Sequence, residues 1–253
     1  MDLEFLHKKT GIGYLSKNEN PFSSVYLDVR KKEHRILTDE DVKKLPLMVS
    51  SNPNHAEWKL RQKSSQRFID YLKTKPEKLQ ILDIGCGNGW FTNSIAETSK
   101  SSDVIGLDIN HMELEQAARV FQKGNLQFVY GDIFQIESQL CNQFDIITLN
   151  ACIQYFSNFK ALISKLISFS KPNGEIHIID SPFYRKEELD KAKKRTKDYY
   201  TELGFPEMAS NYFHHCFDDL EDFKILYNPK KNILIKLIRR KDSPFYWLKK
   251  SVI

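Results

Sequence analysis

The spacing of apolar positions changes along the chain. From residue 79 onward, short apolar runs typical of strands alternate with stretches that have the spacing of helices. Short apolar runs that close on a polar residue predict strands, the first starting at 81 and the others at 104–109, 128–133, 144–150 and 175–180. The stretches between them place apolar residues on single helix faces, such as Leu114, Ala117, Ala118 and Phe121, or Leu162, Ile163, Leu166 and Ile167. This alternation predicts an α/β fold with a doubly wound, mostly parallel sheet.

The alternation stops after residue 180. Residues 181–220 are polar and aromatic with helical spacing, and we interpret them as an insertion that forms the acceptor side of a site. Two apolar runs follow at 223–227 and 232–238, separated by Asn-Pro-Lys-Lys. Such a pair predicts a terminal antiparallel hairpin.

The first 55 residues have no long periodic stretch, since Pro21, Pro46 and Pro53 interrupt them. One short helix is predicted after Thr38 or Asp39, and a longer one over 55–73. We therefore divide the chain into an irregular or helical arm at 1–55 and one domain at 56–253.

Residues 81–90 read Ile-Leu-Asp-Ile-Gly-Cys-Gly-Asn-Gly-Trp, a pattern typical of a strand, a tight turn and a helix start. Glycines let the backbone approach a ligand, and a helix start offers unpaired N–H groups. A dinucleotide fingerprint needs a third glycine where Trp90 stands, and no Gly-Lys-Ser/Thr follows for a phosphate loop.

The later strands also end in polar residues, namely Asp108, Asp132 and Asn150. The carboxyl ends of parallel strands meet at one edge of a sheet, so these side chains predict a single ligand crevice. Asp108 follows the glycines by about twenty residues, where a carboxylate can accept the two ribose hydroxyls of a nucleoside cofactor.

The motif Asp-x-Gly-x-Gly-x-Gly at 83–89 resembles motif I of class I S-adenosylmethionine-dependent methyltransferases. The resemblance covers roughly residues 79–240. It is strongest to methyltransferases that act on small molecules and have a methyltransferase-11 type domain. It implies a seven-stranded sheet finished by an antiparallel hairpin, and methyl transfer that releases S-adenosylhomocysteine.

The resemblance also implies roles for residues along the crevice. The turn formed by Gly85, Cys86, Gly87 and Gly89 would pass under the methionine part of the cofactor, and Asp83 would organise its ammonium group. Asp108 would accept the ribose hydroxyls, while the adenine would lie against Ile109, Asp132 and Ile133. Asn150 would place its backbone near the methionine amine.

Trp58 and Arg61 lie on one face of the predicted 55–73 helix. Arg61 either pairs with the cofactor carboxylate while Trp58 covers the site, or extends its charge to solvent. Tyr26 and Arg30 in the arm are candidates to close the same site as a lid.

The acceptor side contains Tyr155, Tyr184, Tyr212, His214 and His215. Either histidine is a candidate general base, because histidine titrates near neutral pH. Packing is the alternative for all five residues, and many methyl transfers need alignment alone. Ala151 and Cys152 stand where enzymes that methylate bases in nucleic acids carry prolines, which argues against nucleic acid as the acceptor.

The composition narrows the class of protein further. The chain has 253 residues, a net charge of +5 and four cysteines without metal-ligand or paired spacing. We expect free thiols, no metal, no secretory leader, no membrane span and a cytoplasmic enzyme. The alternatives are an RNA methyltransferase that uses basic residues at 230–250, or a non-catalytic cofactor-binding protein. Oligomeric state and acceptor identity are left open.

Overall fold

The computed structural model describes residues 5–17, 22–136, 139–229 and 242–253. The strands are β1 (His7–Lys9), β2 (Ile12–Tyr14), β3 (Gln80–Ile84), β4 (Asp103–Asp108), β5 (Leu126–Tyr130), β6 (Phe144–Asn150), β7 (Ser170–Ser181), β8 (Phe183–Tyr184), β9 (His215–Cys216), β10 (Lys224–Tyr227) and β11 (Tyr246–Ser251). The α-helices are α1 (Phe22–Lys32), α2 (Asp39–Lys44), α3 (His55–Leu72), α4 (Trp90–Thr98), α5 (His111–Val120), α6 (Phe159–Phe169) and α7 (Leu189–Leu203).

The main sheet confirms the predicted α/β fold. Its order within the described residues is β1-β2-β5-β4-β3-β6-β7-β11-β10. Strands β2 to β7 of this sheet run parallel, and β11 is antiparallel to both of its neighbours. The last seven strands in this order form the predicted mostly parallel sheet.

The arm is more regular than its sequence indicates. Its strand β2 is buried along its whole length and pairs parallel with β5, while β1 pairs antiparallel with β2. Each strand has only three residues, too few to show a period of two, so the pattern did not predict them. The predicted helix after Thr38 is present as α2, with the Thr38 hydroxyl oxygen accepting from the Asp41 N–H at 3.2 Å.

At the edge of the sheet formed by the carboxyl-terminal residues, the structure has one strand, β11, that the sequence analysis did not predict. β10 corresponds to the first strand of the predicted hairpin, and its antiparallel neighbour is β11. The predicted strand at 232–238 lies outside the described residues. β11 contains Lys249, Lys250 and Ser251, and this polar run hid its strand character.

The core lies on both faces of the sheet, because successive strand residues point to opposite sides. One face packs against α6 through Leu162, Leu166 and Phe169, and the other packs against α3, α4 and α5. No helix among the described residues is long and apolar enough to cross a bilayer.

Candidate active site

A cavity of about 380 Å³, here called the first cavity, opens at the carboxyl ends of β3, β4, β5 and β6. This is the edge at which the sequence placed the ligand crevice. The predicted cofactor residues that line it are Trp58, Arg61, Asp83, Gly85, Cys86, Gly87, Asp108, Ile109, Asp132, Ile133 and Asn150. One cavity therefore brings together residues that are almost 100 positions apart.

The glycine turn after β3 forms the floor of the first cavity. Gly85 has a φ of +66°, and a Cβ added there would lie 2.6 Å from the Cβ of Cys152. Any larger residue would therefore strain the backbone and push into the end of β6. The position requires glycine for geometry as well as for access by a ligand.

Gly89 differs from the other predicted glycines, because it is absent from the wall of the first cavity. It has a φ of +75° and precedes the first residue of α4. A Cβ added there would lie 2.6 Å from the Phe128 ring and 2.8 Å from the Ala117 Cβ. This glycine thus lets the start of α4 pack closely on β5 and α5. It affects the position of the glycine turn through this packing, and not by contact with a ligand.

Asp108 joins the glycine turn to the end of β4. Its Oδ2 accepts from the Gly87 N–H at 2.7 Å, and its Oδ1 accepts from the Asn110 N–H at 2.9 Å. Burial raises the pKa of the Asp108 carboxyl, although these two bonds stabilise its charged form. Asp108 keeps further acceptor lone pairs in the cavity, as a group that binds hydroxyls requires.

Glu113 is a second cavity carboxyl, and the sequence analysis did not identify it. Burial, followed by the negative charge of Asp108, raises the pKa of Glu113 to about 7. Its position three residues after the N-cap Asn110 made it look like an ordinary helix-start acid. Only the folded structure brings it next to Gly87 and Asp108.

Asp83 lies at the base of the first cavity and is almost fully buried. Its two oxygens accept from the Thr92 and Thr148 hydroxyls, both at 2.7 Å. Burial raises the pKa of Asp83 to about 6, against the effect of these two bonds. Because both oxygens are used, Asp83 ties β3 to α4 and β6, and any contact with a ligand would add to these bonds.

At the other end of the cavity, Ile109 and Ile133 provide apolar walls beside Asp132. The Asp132 Oδ1 accepts from the Phe134 N–H at 3.0 Å, and its Oδ2 accepts from the Gln135 side-chain amide at 3.2 Å. This end of the cavity therefore combines apolar side chains with one carboxyl group, a chemistry that suits an adenine ring.

The predicted nucleoside cofactor fits the polar groups of the first cavity. The side-chain oxygens of Asn88 and Asn150 are buried there without a partner among the described residues. Buried acceptors need donors, and the hydroxyl and ammonium groups of S-adenosylmethionine are donors. Four carboxyl groups, on Asp83, Asp108, Glu113 and Asp132, also suit a positively charged ligand.

The arm and α3 close one side of the first cavity. The Trp58 ring packs edge-on against the Trp90 ring, 5.4 Å between centroids. The Arg61 Nε donates to Glu57 Oε1 at 2.9 Å, and its guanidinium lies 5.4 Å from the Trp58 ring. Arg61 therefore lies in the cavity wall with a carboxylate partner. Tyr26 and Arg30 from α1 line the same wall, as do the unpredicted Arg35 and Leu37.

A second cavity of about 420 Å³ lies beside the first. The two share Tyr26, Arg30, Arg35, Arg61, Ala151 and Tyr155 as lining residues. The predicted acceptor residues Tyr184 and Tyr212 line the second cavity, and Tyr155 lines both. The structure thus groups the three predicted tyrosines around one space, next to the predicted cofactor site.

Neither predicted histidine is among the residues that line the two cavities. His215 is buried between the Phe159 and Phe183 rings, with Nε2 3.1 Å from the Ile153 carbonyl oxygen. A carbonyl only accepts, so this nitrogen carries the proton. The His214 Nε2 lies 2.9 Å from the Thr196 hydroxyl. Burial lowers the pKa of both imidazoles, so both favour the neutral form.

Comparisons with known proteins agree with this geometry. A family model described as a methyltransferase domain matches residues 75–240. The chain is 30% identical over 165 residues to malonyl-[acyl-carrier protein] O-methyltransferase 2 of Ilyobacter polytropus, covering 65% of this chain and 59% of that protein. It is 31% identical over 125 residues to malonyl-[acyl-carrier protein] O-methyltransferase of Halalkalibacterium halodurans, covering 48% and 46%. The chain thus spans about half the length of these curated relatives.

Among solved structures, the fold is similar to that of phosphoethanolamine N-methyltransferase 2 of Haemonchus contortus, in complex with phosphomonomethylethanolamine and S-adenosylhomocysteine. The TM-score is 0.57 at 15% identity, covering 87% of this chain and 61% of that one. At this identity the likeness shows the fold alone.

Proposed function

Because this chain belongs to the methyltransferase domain family, we propose that it transfers a methyl group from S-adenosylmethionine to a small-molecule acceptor. The predicted resemblance to class I S-adenosylmethionine-dependent methyltransferases is confirmed at the level of the family, and so is the predicted cofactor. The reaction of this protein, its acceptor and the role of each residue are the subject of the proposal.

The observation that carries the proposal is the wall shared by the two cavities. Tyr26, Arg30, Ala151 and Tyr155 line both. A cofactor in the first cavity and an acceptor in the second would therefore face each other across a short distance inside the protein. Holding two reactants in this way lowers the entropic part of the barrier, and the cavity walls exclude water.

In this proposal the strand ends hold the cofactor. Asp108 accepts the ribose hydroxyls, Ile109 and Ile133 enclose the adenine, and Asp132 accepts from its amino group. Glu113 adds a second carboxyl beside the ribose. The buried oxygens of Asn88 and Asn150 receive hydrogen bonds from the cofactor, because they have no other partner in the described part of the chain.

Arg61 and Trp58 complete the cofactor site from α3. Arg61 reaches the cofactor carboxylate while it keeps Glu57 as a partner, and Trp58 covers the site. Gly89 acts by packing, as its contacts require. The cofactor supplies a methyl group that is already activated by the sulfonium charge, so the protein has to orient the two reactants.

The acceptor side consists of Tyr155, Tyr184 and Tyr212. We assign His214 and His215 to the packing of this side, because both lie outside the cavity walls. A small molecule is favoured over RNA as the acceptor, since the volume of the second cavity, about 420 Å³, is in the range of small-molecule sites. Of the basic segment at 230–250, which the RNA alternative needs, residues 230–241 lie outside the described part of the chain. The two curated relatives named above are malonyl-[acyl-carrier protein] O-methyltransferases, so their names also argue against nucleic acid as the acceptor.

Calorimetry tests the cofactor half of the proposal. We expect binding of S-adenosylmethionine and S-adenosylhomocysteine, and no binding of NADH or ATP at similar concentration. Binding of NADH alone would contradict the assignment of the first cavity. A second assay incubates the protein with methyl-labelled cofactor and fractionated cell extract, and follows whether label enters metabolites, lipid or RNA. Label in RNA alone would contradict the small-molecule assignment.

A further inference from the structure

The start of α5 departs from an ordinary helix start. Asn110 is the N-cap residue, and its Oδ1 accepts from the Glu113 N–H at 3.2 Å. In the usual capping box, a glutamate at the position of Glu113 also accepts from the backbone N–H of the N-cap residue. Here the Asn110 N–H donates to Asp108 Oδ1 at 2.9 Å instead. The fold therefore leaves the Glu113 carboxyl without the partner that its place in the helix normally provides.

The Glu113 carboxyl lies in the wall of the first cavity. Its two oxygens are 3.4 and 3.6 Å from the position that a Cβ on Gly87 would take. Among the described residues, this carboxyl forms no hydrogen bond and no ion pair, and Arg30 and Arg61 act on its charge only from a longer distance. Its oxygens are therefore available to a ligand that carries hydrogen-bond donors.

The Asn110 side chain supplies the complementary group, a donor. Asn110 is 2% exposed and lines the first cavity, and its Nδ2 has no hydrogen-bond partner in the part of the chain that the structure describes. The Oδ1 atom is identified by the bond that it accepts from the Glu113 N–H, so the unpaired atom is the amide nitrogen. Buried amide groups are normally paired, and this nitrogen therefore indicates a ligand with an acceptor.

Both groups lie next to Asp108. The Asp108 Oδ2 accepts from the N–H of Gly87, the residue beside the Glu113 carboxyl, and its Oδ1 accepts from the Asn110 N–H. This corner of the first cavity thus combines two carboxyl groups with one amide donor. A pair of neighbouring hydroxyls matches this set, because each hydroxyl donates one hydrogen and its oxygen can accept another. The sulfonium of the cofactor does not match it, since its sulfur has no hydrogen to donate.

We propose that Asn110 and Glu113 determine the specificity of the first cavity for a ribose with both hydroxyls. Asp108 and Glu113 each accept from one hydroxyl, and the Asn110 Nδ2 donates to the oxygen of one of them. This role rests on the proposed use of S-adenosylmethionine, and it adds two residues of α5 and its cap to the carboxylate already assigned to the ribose. A nucleoside that lacks either hydroxyl leaves at least one of these groups without a partner, so it is bound more weakly.

Calorimetry on the full chain at pH 8 tests this specificity with three ligands, S-adenosylhomocysteine and its 2′-deoxy and 3′-deoxy analogues. Glu113 is mostly ionised at this pH, because burial and then the charge of Asp108 raise its pKa to about 7. We expect each analogue to bind roughly 10- to 150-fold more weakly, the effect of one charged hydrogen bond. An analogue that binds as tightly as S-adenosylhomocysteine would overturn the inference and leave the cofactor assignment intact. No binding of any of the three ligands would overturn both.

Asn110→Ser removes the amide donor, adds no charge and keeps an oxygen that can cap α5. We expect the affinity for S-adenosylhomocysteine to fall by roughly 2- to 12-fold, the effect of one neutral hydrogen bond. The melting temperature of the ligand-free protein should not fall, because the variant removes an unpaired buried donor.

Asn158→Ser is the matched control, because Asn158 is the exposed N-cap of α6 and its Oδ1 accepts from the Ala161 N–H at 3.0 Å. It should leave the affinity unchanged. A lower melting temperature with unchanged affinity in Asn110→Ser would show a purely structural role and overturn the inference. Asn110→Asp also keeps the cap without the donor, and it replaces Asn110→Ser if the latter does not fold.

Glu113→Gln removes the charge of the second carboxyl and keeps one acceptor oxygen. We expect roughly 5- to 10-fold weaker binding of S-adenosylhomocysteine at pH 8, the difference between a charged and a neutral hydrogen bond. This loss should nearly vanish for the deoxy analogue that lacks the hydroxyl bound by Glu113, because the two changes remove the same interaction. Equal losses for all three ligands would place Glu113 on another part of the cofactor and overturn the inference. Glu115→Gln, an exposed glutamate on α5, is the matched control and should change no affinity.

Discussion

The two cavities share a wall, yet they are built in different ways. The first is formed mainly by four strand ends and one glycine turn, so its shape follows the backbone of the sheet. The second is formed by side chains from α1, α3, the end of β7, α7 and residues 243–245. A site built on a backbone motif is visible in the sequence, whereas one assembled from distant side chains is not.

The cavities also differ in charge. The first gathers Asp83, Asp108, Glu113 and Asp132, and burial raises the pKa of three of them, Asp83, Asp108 and Glu113. The second is lined by three other carboxyl residues, Glu33, Glu57 and Asp180. Arg30, Arg35 and Arg61 line both cavities. Carboxyl groups therefore outnumber arginines by one in the first cavity and equal them in the second.

Removing residues 1–50 should have the largest effect, because the arm contributes to both cavities and to the core. Its fully or nearly buried apolar side chains are Ile12, Tyr14, Leu15, Val29, Val42 and Leu45. Each contributes roughly 1.5–3 kcal/mol, so their sum is as large as the roughly 5–15 kcal/mol that stabilises a whole domain. We expect the truncated chain to lose its cooperative thermal transition. Ile12→Ala should lower stability by about 2–5 kcal/mol, against less than about 0.5 for the exposed Ile36→Ala.

A truncated chain that melts cooperatively and binds the cofactor would show that the arm is a dispensable lid. That outcome would also mean that the pairing of β2 with β5 adds little to the sheet.

Asp108→Ala should weaken cofactor binding in the first cavity without changing any residue of the second cavity. The change removes acceptors for the ribose hydroxyls, each worth roughly 1.5–3 kcal/mol, so binding of S-adenosylhomocysteine should weaken by roughly one to three orders of magnitude. Calorimetry measures this effect. The melting temperature of the ligand-free protein should also fall, because the Gly87 and Asn110 N–H groups lose their acceptor. Asp108→Asn keeps one acceptor oxygen and should weaken binding less. Equal affinity in the wild-type protein and both variants would place the ribose elsewhere.

The histidines test whether the acceptor side needs a base. His214→Ala should leave turnover and the affinity for S-adenosylhomocysteine within about twofold. His215→Ala should lower the free energy of unfolding by about 1–3 kcal/mol, because it removes the hydrogen bond to the Ile153 carbonyl and opens space between two phenylalanines. The opposite outcome would identify a general base. In that case one of the two variants would turn over about 10²–10⁴ times more slowly, and it would lack the rise in rate that the wild-type protein shows as the pH passes through the histidine titration range.

The effect of Glu113→Gln on stability should depend on pH. The pKa of Glu113 is about 7 in the folded protein, above its ordinary value of 4.5. The folded state therefore binds more protons between these values, and stability falls as the pH rises through them. The glutamine variant escapes this loss. Its melting temperature should therefore exceed that of the wild type at pH 8, by about 2–4 °C for each kcal/mol of the loss, and match it near pH 4.5. An equal difference at both pH values would show that the carboxyl charge is not the cause.

The sequence by itself determined the central sheet and most of the first cavity. The period of two in the strands and of 3.6 in the helices is local, and so is the glycine turn at 85–89. Polar residues at strand ends then had to meet at one edge, because parallel strands share their direction. For this reason Asp83, Asp108, Asp132 and Asn150 were placed correctly along the cavity without any knowledge of the tertiary structure.

Only the tertiary structure decided which residues meet across the chain. β2 is too short to show a period, and β11 carries a polar run, so pairing with neighbours identified both strands. Glu113 looked like a helix-start acid until folding placed it beside Asp108. Contacts between segments far apart in sequence also left both histidines outside the walls of the two cavities. Burial and pairing of this kind depend on the assembled core, and a local pattern does not encode them.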